Sequence, residues 1–299
     1  MTAKVRIGDR WVGGGEPCFF VAEIGINHNG DLEIARKLIS AAVLVGCDAV
    51  KFQKRTIDLV YTREELMRPR ESPFGATNGD LKRGLELGYE QCRSIDAYCR
   101  MHKILWYASC WDERSVDFME QFNPPCYKIA SACLTDDNLL RYHRGCRRPI
   151  ILSTGMSTSE QIDHAVEVLG TEDLILLHCT STYPSKPEEL NLRAIQSLAE
   201  RYGVPVGYSG HEVGLATSVA ASVLGACMIE RHITLDRATW GSDQAASVEP
   251  QGFARLVRDI RTIEAAMGDG VKRVYESELP VMNKLRRVGA EPAVANRPQ

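Results

Sequence analysis

Two apolar patterns alternate along the chain. Short, nearly continuous apolar runs bounded by turn residues occur at 19–25, 48–53, 104–109, 126–130, 149–153, 174–179, 204–209 and 226–231. Their length predicts strands, and their lack of a polar face predicts burial on both sides. Between them, 31–45, 89–102, 157–169, 187–202 and 214–224 carry apolar residues at helical spacing. Ser157-Thr-Ser-Glu160 has the spacing of a capping box, and Asn29-Gly30-Asp31 offers a turn and a cap before an apolar-periodic run. Eight such units predict an α/β protein, a (β/α)8 TIM barrel, because parallel strands need helical crossovers and closure removes the edges. An open doubly wound sheet is the alternative. Residues 5–12 read as a short N-terminal hairpin turning at Gly8-Asp9 and placed to plug the barrel bottom. Strand starts recur evenly except between the second and third, where a long loop, 54–84, is expected to cover the site. The barrel domain is assigned to 1–270 and a C-terminal tail to 271–299, interrupted by Pro280, Pro292 and Pro298.

Composition narrows the function. The 299 residues are 44% hydrophobic and 25% charged with a net charge of −3, an ordinary globular balance. Basic residues are scattered, so no nucleic-acid partner is expected. No leader pattern opens the sequence and no apolar run is long enough for a span, which predicts a cytoplasmic protein with no membrane partner. The ten cysteines fall singly, without a CxxC pair, and read as reduced core thiols. His102, His143 and His164 lie in helical segments and read as surface residues.

In a barrel of this kind the C-terminal strand ends build the site. Reading each in turn gives Glu23 with Asn27-His28, Lys51 and Gln53, Ser109, Lys128 and Ser131, Ser153-Thr154-Gly155, His178 with Thr180, Ser181 and Tyr183, Ser209 and His211, then Glu230 and His232. Ionisable groups inside apolar segments demand partners, a metal or a charged ligand, because unpaired buried charge is costly. His211 and His232, on neighbouring strand ends, are candidate ligands for one divalent ion. Lys51 and Lys128 have three readings: partners of Glu23 or Glu230, Schiff-base nucleophiles, or anchors for an anionic substrate. With several serines nearby, an anion site is the simplest combined account. Cys179 reads as a packing residue, Tyr183 and Asp243 as loop residues able to meet a sugar hydroxyl, and Gly13-Gly14-Gly15 as a turn. There is no Walker loop or GxGxxG.

The motifs Val-Ala-Glu23-Ile-Gly-Ile-Asn-His-Asn-Gly, Val-Lys51-Phe-Gln53, Tyr-Lys128-Ile-Ala-Ser131, Ile-Leu-Ser153-Thr-Gly-Met, Leu-His-Cys-Thr-Ser-Thr-Tyr183-Pro, Gly-Tyr-Ser209-Gly-His211 and Ile-Glu230-Arg-His232 follow one another over roughly 18–265. In this the chain resembles the sialic acid synthase family. The resemblance implies condensation of phosphoenolpyruvate with the open-chain aldehyde of an N-acylated amino sugar, giving a nine-carbon 2-keto-3-deoxy acid and phosphate. It implies a divalent metal, manganese or magnesium, on His211 and His232. Lys51, Lys128, Ser131, Ser153, Ser181 and Ser209 match positions around phosphoenolpyruvate; Gln53, Tyr183, Glu230 and Asp243 match positions near the sugar. Glu23 is the candidate for proton handling or for stabilising a cationic centre, which makes Glu23, Lys51 and Lys128 the expected catalytic set. A homodimer is implied. Many members have Asp where Gly210 stands and Glu where Cys133 stands, so hydrogen bonding near the histidines is expected to differ. The family's C-terminal antifreeze-like domain is not expected here, and Arg68, Arg70, Glu71 and Asn78 of the long loop are expected to act as a lid in its place. The competing readings are a lysine Schiff-base aldolase and a degenerate barrel that binds a sugar or a partner protein.

Overall fold

The computed structural model of the protein describes residues 3–288. A hairpin, β1 (Lys4–Ile7) and β2 (Arg10–Gly13), precedes β3 (Phe19–Gly25), α1 (Leu32–Leu44) and β4 (Ala49–Lys54). Then come α2 (Ile57–Val60), α3 (Arg63–Met67), a second hairpin of β5 (Pro69–Ser72) and β6 (Gly75–Thr77), α4 (Asn78–Gly84) and α5 (Tyr89–His102). The remaining units are β7 (Leu105–Cys110), α6 (Glu113–Glu120), β8 (Tyr127–Ile129), α7 (Asp137–Gly145), β9 (Ile150–Ser153), α8 (Ser159–Leu169), β10 (Leu174–Cys179), α9 (Ala194–Tyr202), β11 (Val206–Gly210), α10 (Ala216–Val223), β12 (Met228–His232) and α11 (Pro250–Met267). Eight parallel strands, β3-β4-β7-β8-β9-β10-β11-β12, close with β12 pairing β3, which removes the open-sheet alternative.

Alternation along these strands sorts the barrel interior into layers. Phe19, Val21, Ala49, Tyr107, Cys126, Ile151, Ile175, Leu177 and Met228 fill the lower interior, and Val5, Ile7 and Val12 of the first hairpin join that same cluster as a plug. The opposite strand faces, such as Phe20, Val50, Trp106, Ile129, Leu152 and Leu176, pack under the helices. Asp31 caps α1, accepting from the N–H groups of Glu33 and Ile34.

Several expectations shift. Thr158, not Ser157, caps α8: its Oγ1 accepts from Gln161 N and Gln161 Oε1 accepts from Thr158 N. Ser157 Oγ is turned away, donating to the Gly155 carbonyl. The stretch at 187–202 is not one helix, because Asn191 adopts a φ of 43° and separates a 3-10 turn (Pro187–Glu189) from α9. The long loop is folded, holding α2, α3, α4 and the β5–β6 hairpin. Asn78 and Arg68, expected in a lid, are tied within this segment to Glu65. His143 is buried rather than on the surface: it is on the inward face of α7, with Nδ1 2.9 Å from the Leu139 carbonyl and its ring edge-on to Tyr127. Burial pushes its pKa down to about 4. All ten cysteines are free, and seven are buried.

The described residues form two units dividing after Arg261. In the second, a 3-10 turn (Glu276–Glu278) leads into α12 (Leu279–Leu285), where Pro280 opens the helix instead of interrupting it. Pro292 and Pro298 lie outside the described residues. No helix among the described residues is long and apolar enough to cross a membrane.

Candidate active site

One layer above the apolar interior, the inward-facing residues of most strands are polar. Following Val21, Ala49, Tyr107, Cys126 and Met228 by two residues come Glu23, Lys51, Ser109, Lys128 and Glu230. They surround a cavity of about 210 Å³ at the C-terminal mouth of the barrel, several times what a single water fills. Gln53, Ser131, Ser153, Ser181, Tyr183, Ser209, His211 and His232 line the same cavity. Of the residues matched to phosphoenolpyruvate, the sugar, the metal or catalysis, only Asp243 is outside this lining, behind His232 with its Oδ2 3.9 Å from His232 Nδ1.

The floor is a buried network of two lysines and two glutamates. Lys51 Nζ is 2.6 Å from Glu23 Oε2 and 3.8 Å from Glu230 Oε1, and donates to Ser109 Oγ at 3.0 Å. Lys128 Nζ donates to Glu230 Oε1 at 3.1 Å, and Ser209 Oγ donates to the same oxygen at 3.0 Å. The structural-partner reading of both lysines is therefore realised, and it leaves two ammonium groups facing a cavity. Burial opposes ionisation of Glu230, but Lys128 and Lys51 outweigh it and hold the carboxyl down at about 2. Glu23 has burial as its dominant influence, only partly answered by Lys51, and is pushed up to about 7. Burial lowers Lys128, whereas the two carboxylates keep Lys51 above its ordinary value despite burial.

On the β8–β10 side the chain makes a cradle. Strand β8 stops at Ile129, shorter than expected, because 131–133 turns into a 3-10 helix that swings Ser131 over the cavity. Gly155 N donates to Ser131 Oγ at 3.0 Å, and Ser131 Oγ is 3.3 Å from Cys179 Sγ. A Cβ at Gly155 would collide with the hydroxyls of Ser131 and Ser181, so only glycine lets them converge. Cys179 is buried at the end of its strand, as a packing residue should be, but its sulfur also faces this cradle. Cys133, near by, is a buried thiol pushed up to about 12.

Next to the cradle, past β10, the rings of His211 and His232 lie 5.7 Å apart, with the Tyr183 ring tilted against His211 at 4.1 Å. Burial pushes His211 down to about 4 and lowers His232 as well, so both are neutral imidazoles, the form that ligates metal. His211 Nδ1 is 2.8 Å from the Thr180 carbonyl, which can only accept, so Nε2 keeps its lone pair. His232 Nδ1 is buried without a hydrogen-bond partner among the described residues. Two such nitrogens fit a divalent ion that keeps water and substrate as its other ligands. No cluster of three His, Cys, Asp or Glu side chains suited to a metal occurs among the described residues.

Beneath the histidines is a pair that sequence reasoning missed. Glu212 Oε1 and Arg231 Nη1 are 2.9 Å apart and both side chains are fully buried. Arg231 also donates to the Glu212 and Gly214 carbonyls and to Ser218 Oγ, while Tyr208, Thr217 and Ser218 donate to the Glu212 carboxylate. The signal was an arginine inside an apolar strand, out of phase with the inward Glu230 and His232. The bare Cα of Gly210 makes room for it, since a Cβ there would sit 2.6 Å from Glu212 Oε2.

Other strand-end candidates serve elsewhere. His178 Nε2 reaches the Leu190 carbonyl at 2.6 Å and Thr180 Oγ1 donates to the Glu189 carbonyl, both outside the barrel mouth. Thr154 Oγ1 donates to the Leu177 carbonyl. Asn27 Nδ2 donates to the Ile233 carbonyl and Ser247 Oγ, fixing the loop after β12. Trp111 and Met156 line the cavity from loop positions that no strand pattern marks. No residue of 54–84 is in that lining.

A model described as the NeuB family matches residues 38–272. Over 281 residues the chain is 40% identical to N-acetylneuraminate-9-phosphate synthase of Homo sapiens, covering 92% of this chain and 78% of that protein. It is 34% identical over 280 residues to N,N'-diacetyllegionaminic acid synthase of Legionella pneumophila, covering 90% of this chain and 79% of the relative. The crystal structure of N-acetylneuraminic acid (sialic acid) synthetase from Leptospira borgpetersenii in complex with citrate matches with a TM-score of 0.84 at 29% identity, covering 96% of this chain and 99% of that one. The match of fold and of sequence over most of the length means that the chain belongs to the NeuB family.

Proposed function

We propose that the protein condenses phosphoenolpyruvate with the open-chain aldehyde of an N-acylated amino sugar, giving a 2-keto-3-deoxy nonulosonic acid and inorganic phosphate. The observation that carries this reading is the juxtaposition, in one cavity, of two buried lysines, a serine cradle and two neutral imidazoles. Phosphoenolpyruvate is a compact polyanion, and Lys51, Lys128, Ser131, Ser153, Ser181 and Ser209 together offer it charge and hydroxyl donors. Gln53, Tyr183, Glu230 and Asp243 are assigned to the sugar. His211 and His232 are assigned to a divalent metal, manganese or magnesium, which when bound polarises the aldehyde oxygen.

With the two substrates held face to face, C3 of the enol forms the new bond to the aldehyde carbon and C2 becomes electron-poor. Glu23, ion-paired to Lys51 on the cavity floor, is assigned to stabilise that centre and to take the proton of the water that adds to C2. The C2–O bond then breaks with its electron pair leaving on phosphate, which takes the proton held by Glu23, while the C2 hydroxyl gives its proton to the alkoxide formed from the aldehyde and becomes the keto group. Lys51 offsets phosphate charge throughout, because the two carboxylates beside it keep it protonated.

The test is phosphate release from phosphoenolpyruvate across a panel of amino-sugar aldehydes, with manganese and with chelator. Release that needs both aldehyde and metal supports the assignment. Chelator-insensitive turnover together with borohydride trapping of a pyruvate adduct on Lys128 or Lys51 would replace it with the Schiff-base reading.

A further inference from the structure

Asn27 leaves β3 just beyond Glu23, yet its side chain is buried and is not in the cavity lining. It sits at the seam where β12 closes the barrel onto β3. A carboxamide has two N–H donors, and Asn27 has an acceptor for each: Nδ2 is 2.8 Å from the Ile233 carbonyl and 2.8 Å from Ser247 Oγ. Ile233 is the residue after His232. Its N–H donates to the Glu23 carbonyl at 2.9 Å, so β3 and its loop hold the peptide that follows His232 at both its N–H and its C=O. The His232 carbonyl in turn accepts from Val248 N at 2.8 Å.

The second amide bond extends the clamp to the loop after β12. Ser247 Oγ, which accepts from Asn27, donates to the Asp243 carbonyl at 2.7 Å. Gln244 Nε2 donates to the Asn27 carbonyl at 3.2 Å, and Gln244 Oε1 accepts from Thr234 Oγ1. Thr234, Gln244 and Ser247 are buried like Asn27, and none of the four lines the cavity. The network therefore touches the site only through the residues it holds: His232 at the strand end and Asp243, whose carboxylate faces His232 Nδ1. Closure of the barrel does not need it. The β12–β3 ladder runs from Met228–Phe19 to His232–Glu23, and Asn27 acts one residue past its end. Asn27 Oδ1 is buried without a hydrogen-bond partner among the described residues, a cost that burying an apolar side chain there would avoid.

We propose that Asn27 is a positioning residue for the divalent ion assigned to His211 and His232: without touching ion or substrate, it fixes where His232 leaves β12 and, through Ser247, where Asp243 faces it. The proposal rests on the reading of the two histidines as a metal pair.

The experiment titrates manganese into the wild type, Asn27→Leu and Ser247→Ala without substrates, following free ion by electron paramagnetic resonance, and measures phosphoenolpyruvate binding to the same samples by calorimetry. Leucine keeps the shape of asparagine and adds no charge that could itself attract a cation. Asn27→Leu is expected to weaken manganese about tenfold or more, and Ser247→Ala, which cuts only the link to Asp243, roughly threefold. Phosphoenolpyruvate affinity is expected to stay within about twofold of the wild type in both, because the serine cradle is built on other strands. Wild-type manganese affinity in both variants overturns the proposal. So does a loss that falls equally on manganese and phosphoenolpyruvate, the mark of a general loosening of the barrel mouth. If Asn27→Leu does not fold, Ser247→Ala decides by the same two measurements. A wild type that binds no manganese defeats the metal assignment itself, and the role of Asn27 with it.

Discussion

A methyl group at position 155 would strike two serine hydroxyls of the cradle proposed for phosphoenolpyruvate. Gly155→Ala is expected to raise KM for phosphoenolpyruvate roughly tenfold or more, because displacement of positioning groups by less than 1 Å is already costly. Steady-state kinetics beside an unchanged circular dichroism spectrum check this. The Glu212–Arg231 pair makes a different prediction. Removing one partner strands a fully buried charge, at a cost of about 3–5 kcal/mol, so Arg231→Met should lower Tm by about 10 °C, whereas Glu212→Gln combined with Arg231→Met should recover much of that loss. Calorimetry of the single and double variants tests it; equal losses in both would show that the pair is not what holds this corner. Glu23, Lys51, Lys128 and Glu230 were legible in the sequence because charge inside an apolar run is anomalous. Arg231 carried the same anomaly, but facing the helices its role depends on Glu212, whose direction is set by Gly210 and only visible in three dimensions.

At the scale of elements, the strands were readable because each is apolar on both faces, and the site because polar residues recur at their ends. What pattern reading lost was register and connection. Ser157 with Glu160 has capping-box spacing, but Ser157 Oγ is taken by the Gly155 carbonyl, and the cap is Thr158, one residue on, whose bond Gln161 returns. Thr158→Ala should cost about 1 kcal/mol and Ser157→Ala much less, measurable as shifts in urea midpoint. The 54–84 segment looked like a loop because its elements are too short for periodicity to register. Its capping box at Thr77 and Asp80 was the available local signal.

For the whole molecule, closure of the barrel puts charge at one mouth and an apolar plug at the other, and buried histidines link its stability to acid. Burial pushes both His28 and His143 down to about 4. The unfolded chain, with ordinary histidines near 6.5, binds more protons between those values, so stability is fully present above pH ~6.5 and is lost as pH falls toward 4. His143→Leu, which removes one of these groups far from the cavity, should flatten the fall in Tm between pH 6.5 and 4.5; an unchanged slope would show that His143 is not one of the groups responsible.

The central claim is that one cavity joins the three carbons of phosphoenolpyruvate to an amino-sugar aldehyde with loss of phosphate from carbon. Phosphoenolpyruvate labelled with oxygen-18 at the bridging position tests it most directly, incubated with the aldehyde panel and manganese and followed by mass spectrometry. The expected products are a keto acid three carbons longer than the sugar and phosphate that retains the label. Unlabelled phosphate, or phosphate released without a lengthened product, would contradict it.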